Sequence, residues 1–166
     1  DTSGVITTYA GGANAGDSGD GGPAAAATFK TISGLAVDTQ NNLYIADSGA
    51  NRVRMIAATS GTITAFAGTG QDGATGDSGV ATAATLSLDY PSPLAVDGRG
   101  NVYIADVDNL RIRMVTQGTR IISTVVGNGT FGRPSNGPAT NSFSRPAGLA
   151  ADAAGNLYIS SYDYPD

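Results

Sequence analysis

Gly34-Leu35-Ala36-Val37-Asp38, followed by Asn42-Leu43-Tyr44-Ile45, occurs three times in this chain. It returns as Pro93-Leu94-Ala95-Val96-Asp97 with Asn101-Val102-Tyr103-Ile104. It returns again as Gly148-Leu149-Ala150-Ala151-Asp152 with Asn156-Leu157-Tyr158-Ile159. The marker aspartate moves from 38 to 97 to 152, steps of 59 and 55 residues. A period of that size signals one supersecondary unit used repeatedly. One such unit cannot bury its own apolar face, so copies must pack on each other or on another chain.

Within each copy, apolar residues alternate with period two, which predicts strands. The first strand ends at the marker aspartate. A five-residue turn follows, Asp38–Asn42, Asp97–Asn101 and Asp152–Asn156. Its fourth position is Asn41, Gly100 or Gly155, the residue types that tolerate positive φ. Leu43–Ala46 forms the second strand. Arg52–Ile56, copied as Arg111–Val115, forms the third, with Val53 and Met55 on one side and Arg52 and Arg54 on the other. Ile63–Gly68 and Ile122–Gly127 form the fourth, and Ile6–Gly11 reads as the same strand. Four short antiparallel strands per unit describe a propeller blade. The expected strand sequence is one, then four, then four, then two. The units are placed at about 1–30 (partial), 31–89, 90–145 and 146–166 (partial).

Composition agrees with strands and turns. The chain of 166 residues has 24 Gly; all 14 acidic residues are Asp, and Lys30 is the lone lysine. There is no Cys, His or Glu. Thiol chemistry is excluded, and general acid–base work near neutral pH would rest on Asp or Tyr alone. The chain is therefore expected not to be an enzyme and to need no cofactor. A net charge of −5 argues against nucleic acid as a partner. No apolar run has the length of a membrane span. Low charge with abundant Ser, Thr, Ala and Gly suggests an extracellular, secreted protein. Because the chain opens on Asp1, it is expected to be processed or excised.

The strand ending Ala36-Val37-Asp38, the run Asn42–Asp47 and Arg52-Val53-Arg54 together resemble NHL repeats. Ala95-Val96-Asp97, Asn101–Asp106 and Asn109–Arg113 repeat the pattern. Gly19-Asp20-Gly21-Gly22-Pro23-Ala24 resembles the variety with a Gly-Asp-Gly-Gly-Pro-Ala loop between blades. The resemblance implies an all-β fold of about three four-stranded antiparallel blades, an incomplete ring corresponding to half of a six-bladed propeller. The third copy departs from the pattern: Ser160-Ser161 replaces Ala-Asp, and Ser135 and Asn136 stand where Asp17 and Asp20 are expected.

Candidate sites carry structural readings. Asp47 with Arg52, and Asp106 with Arg111, are expected to fix the second hairpin as charge pairs, as Asp38, Asp97 and Asp152 fix the first. Asp17 and Asp20, echoed by Asp72 and Asp77, are weak candidates for Ca²⁺, which takes six to eight oxygens; turn capping is the preferred role. The Arg pairs 52/54 and 111/113 read as a solvated strand face, and Tyr44, Tyr103 and Tyr158 as core. Asn128-Gly129-Thr130 is an N-glycosylation sequon. The functional expectation is a non-enzymatic structural or interaction module. It self-associates into a ring or filament, or belongs to a longer repeat protein; its partners are protein, with glycans secondary. The alternatives are a ligand-sensing propeller domain of a receptor-like protein, and a fragment of a propeller hydrolase or lyase whose active site lies elsewhere.

Overall fold

The computed structural model describes residues 4–12, 14–132, 136–141 and 145–162. It is all-β. Strands β1 (Ile32–Val37), β2 (Leu43–Asp47), β3 (Arg52–Ile56) and β4 (Ile63–Ala67) form one antiparallel sheet in the order β1-β2-β3-β4. Strands β5 (Leu94–Val96), β6 (Val102–Asp106), β7 (Arg111–Val115) and β8 (Ile122–Val126) form the second in the same order. A two-stranded sheet, β9 (Arg145–Ala151) with β10 (Leu157–Tyr162), is the third. The first strands neighbour one another across the sheets, β1 to β5 and β5 to β9, as expected of blades arranged about an axis. Helix is confined to 3-10 turns, two of them at Ala24–Ala26 and Ala81–Ala83 in the long loops.

Local sequence explains the hairpins. Asn41, Gly100 and Gly155 all have positive φ, at 63°, 84° and 93°. In each turn the marker aspartate accepts the backbone N–H two and four residues ahead, which closes the hairpin onto the next strand.

The blades stack by apolar faces. Tyr44, Ala46, Val53 and Phe66 of the first sheet pack on Leu94, Val102, Ile104, Val115 and Ile122 of the second, with Leu86 and Leu88 from the loop between them. Phe66 meets Tyr44 edge-on, ring centroids 4.8 Å apart. Arg120 of the second unit also reaches Phe66, its guanidinium 4.4 Å from the ring centre.

The N-terminal segment corrects an expectation. Residues 5–9 form no strand, and Val5, Ile6 and Tyr9 are exposed. A fourth strand needs a third beside it, and none pairs with this segment among the described residues. The segment still holds the place a fourth strand leads to. Gly11 N–H donates to Ala24 O, as Gly68 does to Ala81 and Gly127 does to Ala139. Gly68 and Gly127 have positive φ, and a Cβ there would collide with the carbonyls of Asn51 and Leu110. The hydrogen bonds also set the loop register: Asp20 matches Asp77, not Asp17, and its third-unit counterpart Ser135 lies outside the described residues.

Candidate functional site

The repeated polar residues build the frame. Tyr44 Oη donates to Asp38 Oδ2 at 3.1 Å, and Tyr103 to Asp97 at 3.2 Å. Asn42 and Asn101 each donate a side-chain bond of 2.8 Å to the same carboxylates. Burial pushes the Asp38 and Asp97 carboxyls up, but the bonds from Asn, Tyr and backbone outweigh it and hold both below the ordinary Asp value. Burial beside Asp38 pushes Tyr44 up to about 12. In the third unit Tyr158 makes the same contact with Asp152 at 3.4 Å, yet it is exposed. The expectation of a core tyrosine fails there because, among the described residues, no further sheet covers it.

Arg54 and Arg113 overturn the solvated-face expectation; both are fully buried. The long loop before each of the first two blades lies across that blade's third strand and bridges the residue that leads into the fourth. Pro23 bridges Thr62, and Val80 bridges Ile121. Arg54 Nε donates to Asp20 at 2.9 Å, its other nitrogens to the carbonyls of Thr28 and Ser18, and its guanidinium sits over the Phe29 ring. Arg113 pairs with Asp77 at 2.7 Å and with the buried Asp106 at 3.2 Å. Strand alternation placed these arginines opposite Val53 and Ile112, but could not show that a loop covers that side.

The hairpin pairing also differs from expectation. Asp47 accepts the backbone N–H groups of Lys30 and Thr31, while Arg52 donates to Thr69 O. Asp106 accepts Ser87 N–H and the Asn109 side chain, while Arg111 donates to Asn128 O. Burial raises the carboxyls of Asp47 and Asp106 despite these donors. Among the weak Ca²⁺ candidates, Asp20 and Asp77 are engaged by arginine, and Asp17 lies 3.5 Å from Lys30. No cluster of three or more candidate metal-binding side chains occurs among the described residues. Asn128 is exposed, and its side-chain oxygen accepts Thr130 N–H.

A second set of residues stands outside the repeat. Arg54 bonds Thr28 O and Arg113 reaches Thr85 O, which puts Thr28 and Thr85 in register. From Thr28 to Leu35 is seven residues; from Thr85 to Leu94 it is nine. The longer join carries Asp89-Tyr90-Pro91. Asp108 stands where the first unit has Gly49. At the start of β9, Arg145 reaches both Asp89 and Asp108 at 2.7 Å. Asp89 and Arg145 border a cavity of about 250 Å³ with Tyr90, Pro91, Val107, Pro146 and Tyr162 on its walls. The sequence reading missed this rim. The signal available to it was the two-residue excess in one copy of an otherwise regular join.

Residues 29–54, spanning β1 through most of β3, match the NHL repeat family. Over 111 residues the chain is 35% identical to human Teneurin-4, and equally to the mouse protein; this takes in 59% of the chain and 4% of Teneurin-4. The chain thus spans a small fraction of the length of these relatives. The fold is similar to a Bacteroides thetaiotaomicron protein of unknown function. That likeness has a TM-score of 0.64 at 24% identity and covers 76% of this chain and 32% of that one. A chain in the crystal structure of a nidogen–laminin complex is also similar, with a TM-score of 0.52 at 18% identity over 80% of this chain and 40% of that one. These likenesses show a β-propeller fold.

Proposed function

We propose that this chain is a non-catalytic, extracellular interaction module of NHL type, of the Gly-Asp-Gly-Gly-Pro-Ala loop variety, whose end faces bind further propeller blades. One observation carries the reading. Leu94 is 5% exposed where the first sheet covers it, whereas its counterpart Leu35 is 58% exposed; Tyr44 and Tyr103 are 1% and 7% exposed, whereas Tyr158 is 60% exposed. The surface around Leu35 and Val37 has the character of the surface that accepts Tyr44 at the closed junction. The surface around Tyr158 has the character of the one that Leu94 meets. A second copy of this chain supplies both faces, and two copies would bring six units together head to tail, a contact that closes as a ring or propagates as a filament.

The non-catalytic reading is supported by the lack of His, Cys and Glu. It is supported also by the engagement of the buried acids Asp47 and Asp106 with backbone and side-chain donors. Sedimentation velocity tests the proposal. The wild-type chain is expected to assemble with rising concentration, and Leu35→Asp to remain a folded monomer. Wild-type protein that stays monomeric across the range refutes it. The rim cavity between the second and third units favours a second capacity, ligand recognition.

A further inference from the structure

We propose that the rim cavity at Asp89, Tyr90 and Arg145, with Asp108 beside it, binds a cationic side chain, an arginine or lysine presented by a partner protein. Several independent features point to this chemistry. Two carboxylates share one guanidinium, both at 2.7 Å from the same Arg145 nitrogen, so among the described residues this trio carries one more negative than positive charge. The walls are aromatic and exposed: Tyr90 and Tyr162 rank among the exposed large hydrophobic residues. A cation within about 6 Å of such a ring face is attracted by its quadrupole. Val107, buried, with Pro91 and Pro146 supplies apolar surface for the alkyl stem of the incoming side chain.

These groups lie outside the hairpin bonds that the units repeat, although Arg145 also links β9 to the second unit. Asp89, Tyr90 and Pro91 sit in the join that is two residues longer than its counterpart, and Asp108 replaces a glycine. The blade is therefore built without them in the first unit. Exposed aromatic and charged residues that the fold does not require are what a recognition site needs, since aromatic anchors and charge complementarity set interface energy and specificity. Asp108 stands beside the cavity, 2.7 Å from Arg145, and adds negative charge there. Its carboxyl is raised by burial and by the nearby negative charges of Asp89 and Asp72, in spite of Arg145. A second cation beside it relieves that repulsion.

The test is a nuclear magnetic resonance titration of the full 166-residue chain with acetyl-Gly-Arg-Gly-amide and with its citrulline counterpart, which has the same shape and no charge. The arginine peptide is expected to shift the amide resonances of Tyr90, Val107 and Asp108 saturably, with affinity falling as salt rises. The citrulline peptide is expected to leave them in place. Asp108→Asn is expected to weaken binding at least fivefold and Tyr90→Ala at least threefold, with the remaining spectrum preserved. Equal binding of the citrulline peptide, unchanged affinity in Asp108→Asn, shifts produced instead by a neutral hexose, or no shift at these positions at millimolar peptide would each overturn the proposal. Asp108 is partly exposed and lies outside the hairpin bonds, so its variant reports on the site separately from folding.

Discussion

The junction between the first and second sheets and the junction between the second and third use the same repeated residues and end differently. At the first, Val102, Ile104, Val115 and Ile122 close over Tyr44 and Phe66. At the second, Leu157 and Ile159 occupy the places of Val102 and Ile104, and nothing among the described residues stands in for Val115 and Ile122. A mainly apolar cavity of about 340 Å³ remains there, bordered by Tyr103, Met114, Val125 and Leu157. Burial in a repeat fold is thus a property of the neighbour as much as of the residue. Tyr44 and Tyr158 keep the same hydrogen bond to their aspartates and differ in what lies over them.

The largest expected effects break the closed junction and the buried clasp. Phe66→Ala should cost about 3–5 kcal/mol, whereas Val125→Ala, at the same position of the next blade, should cost about 1 kcal/mol. Arg113→Ala should also cost about 3–5 kcal/mol, because Asp106 is then left buried without its cation. Arg111→Ala, two residues away on the same strand, should change stability by at most ~0.5 kcal/mol. Urea unfolding of the four variants under one set of conditions checks the contrast. Equal effects at Phe66 and Val125 would mean that both junctions are closed in solution.

Acid titration sharpens the comparison further. Asp38 and Asp97 have folded pKa values below the ordinary 3.8. Their contribution to stability is therefore complete above that value and is lost as pH falls through the lowered folded values. Asp106 has the opposite sign: its folded pKa is raised, so its contribution is present at low pH and lost as pH rises through the folded value. Asp97→Asn should flatten the acid limb of the stability profile, and Asp106→Asn should reduce the decline on its upper side.

Much of the frame was legible in the residues. Period-two alternation located the strands of the two complete blades, and Asn41, Gly100 and Gly155 marked the turn that needs positive φ. Illegible features were those set by a distant segment. Strand alternation could not reveal a loop lying over Arg54 and Arg113. Ile6–Gly11 carries the fourth-strand pattern, yet a pattern makes a strand only where a ladder partner exists. The rim escaped notice because repeat-matching rewards residues that recur, and Tyr90, Asp108 and Arg145 do not.

Smaller effects belong to the exposed positions. Tyr158→Ala should leave the stability of dilute chain within ~0.5 kcal/mol, as for surface sites, while Tyr103→Ala should destabilise it measurably. In a secreted eukaryotic setting Asn128 should carry an N-glycan; peptide mapping reads its occupancy, and thermal unfolding of Asn128→Gln should match the parent.

The lack of native cysteine makes the decisive measurement clean. Leu35→Cys and Tyr158→Cys are prepared as separate proteins, mixed and oxidised, with Ser60→Cys, on an exposed turn, as the control partner for each. If the leading face of one copy receives the trailing face of another, as Leu94 receives Tyr44, the Leu35→Cys and Tyr158→Cys chains should join as a mixed disulfide well above either control pairing. Cross-linking no greater than with Ser60→Cys would contradict the claim that these faces bind one another.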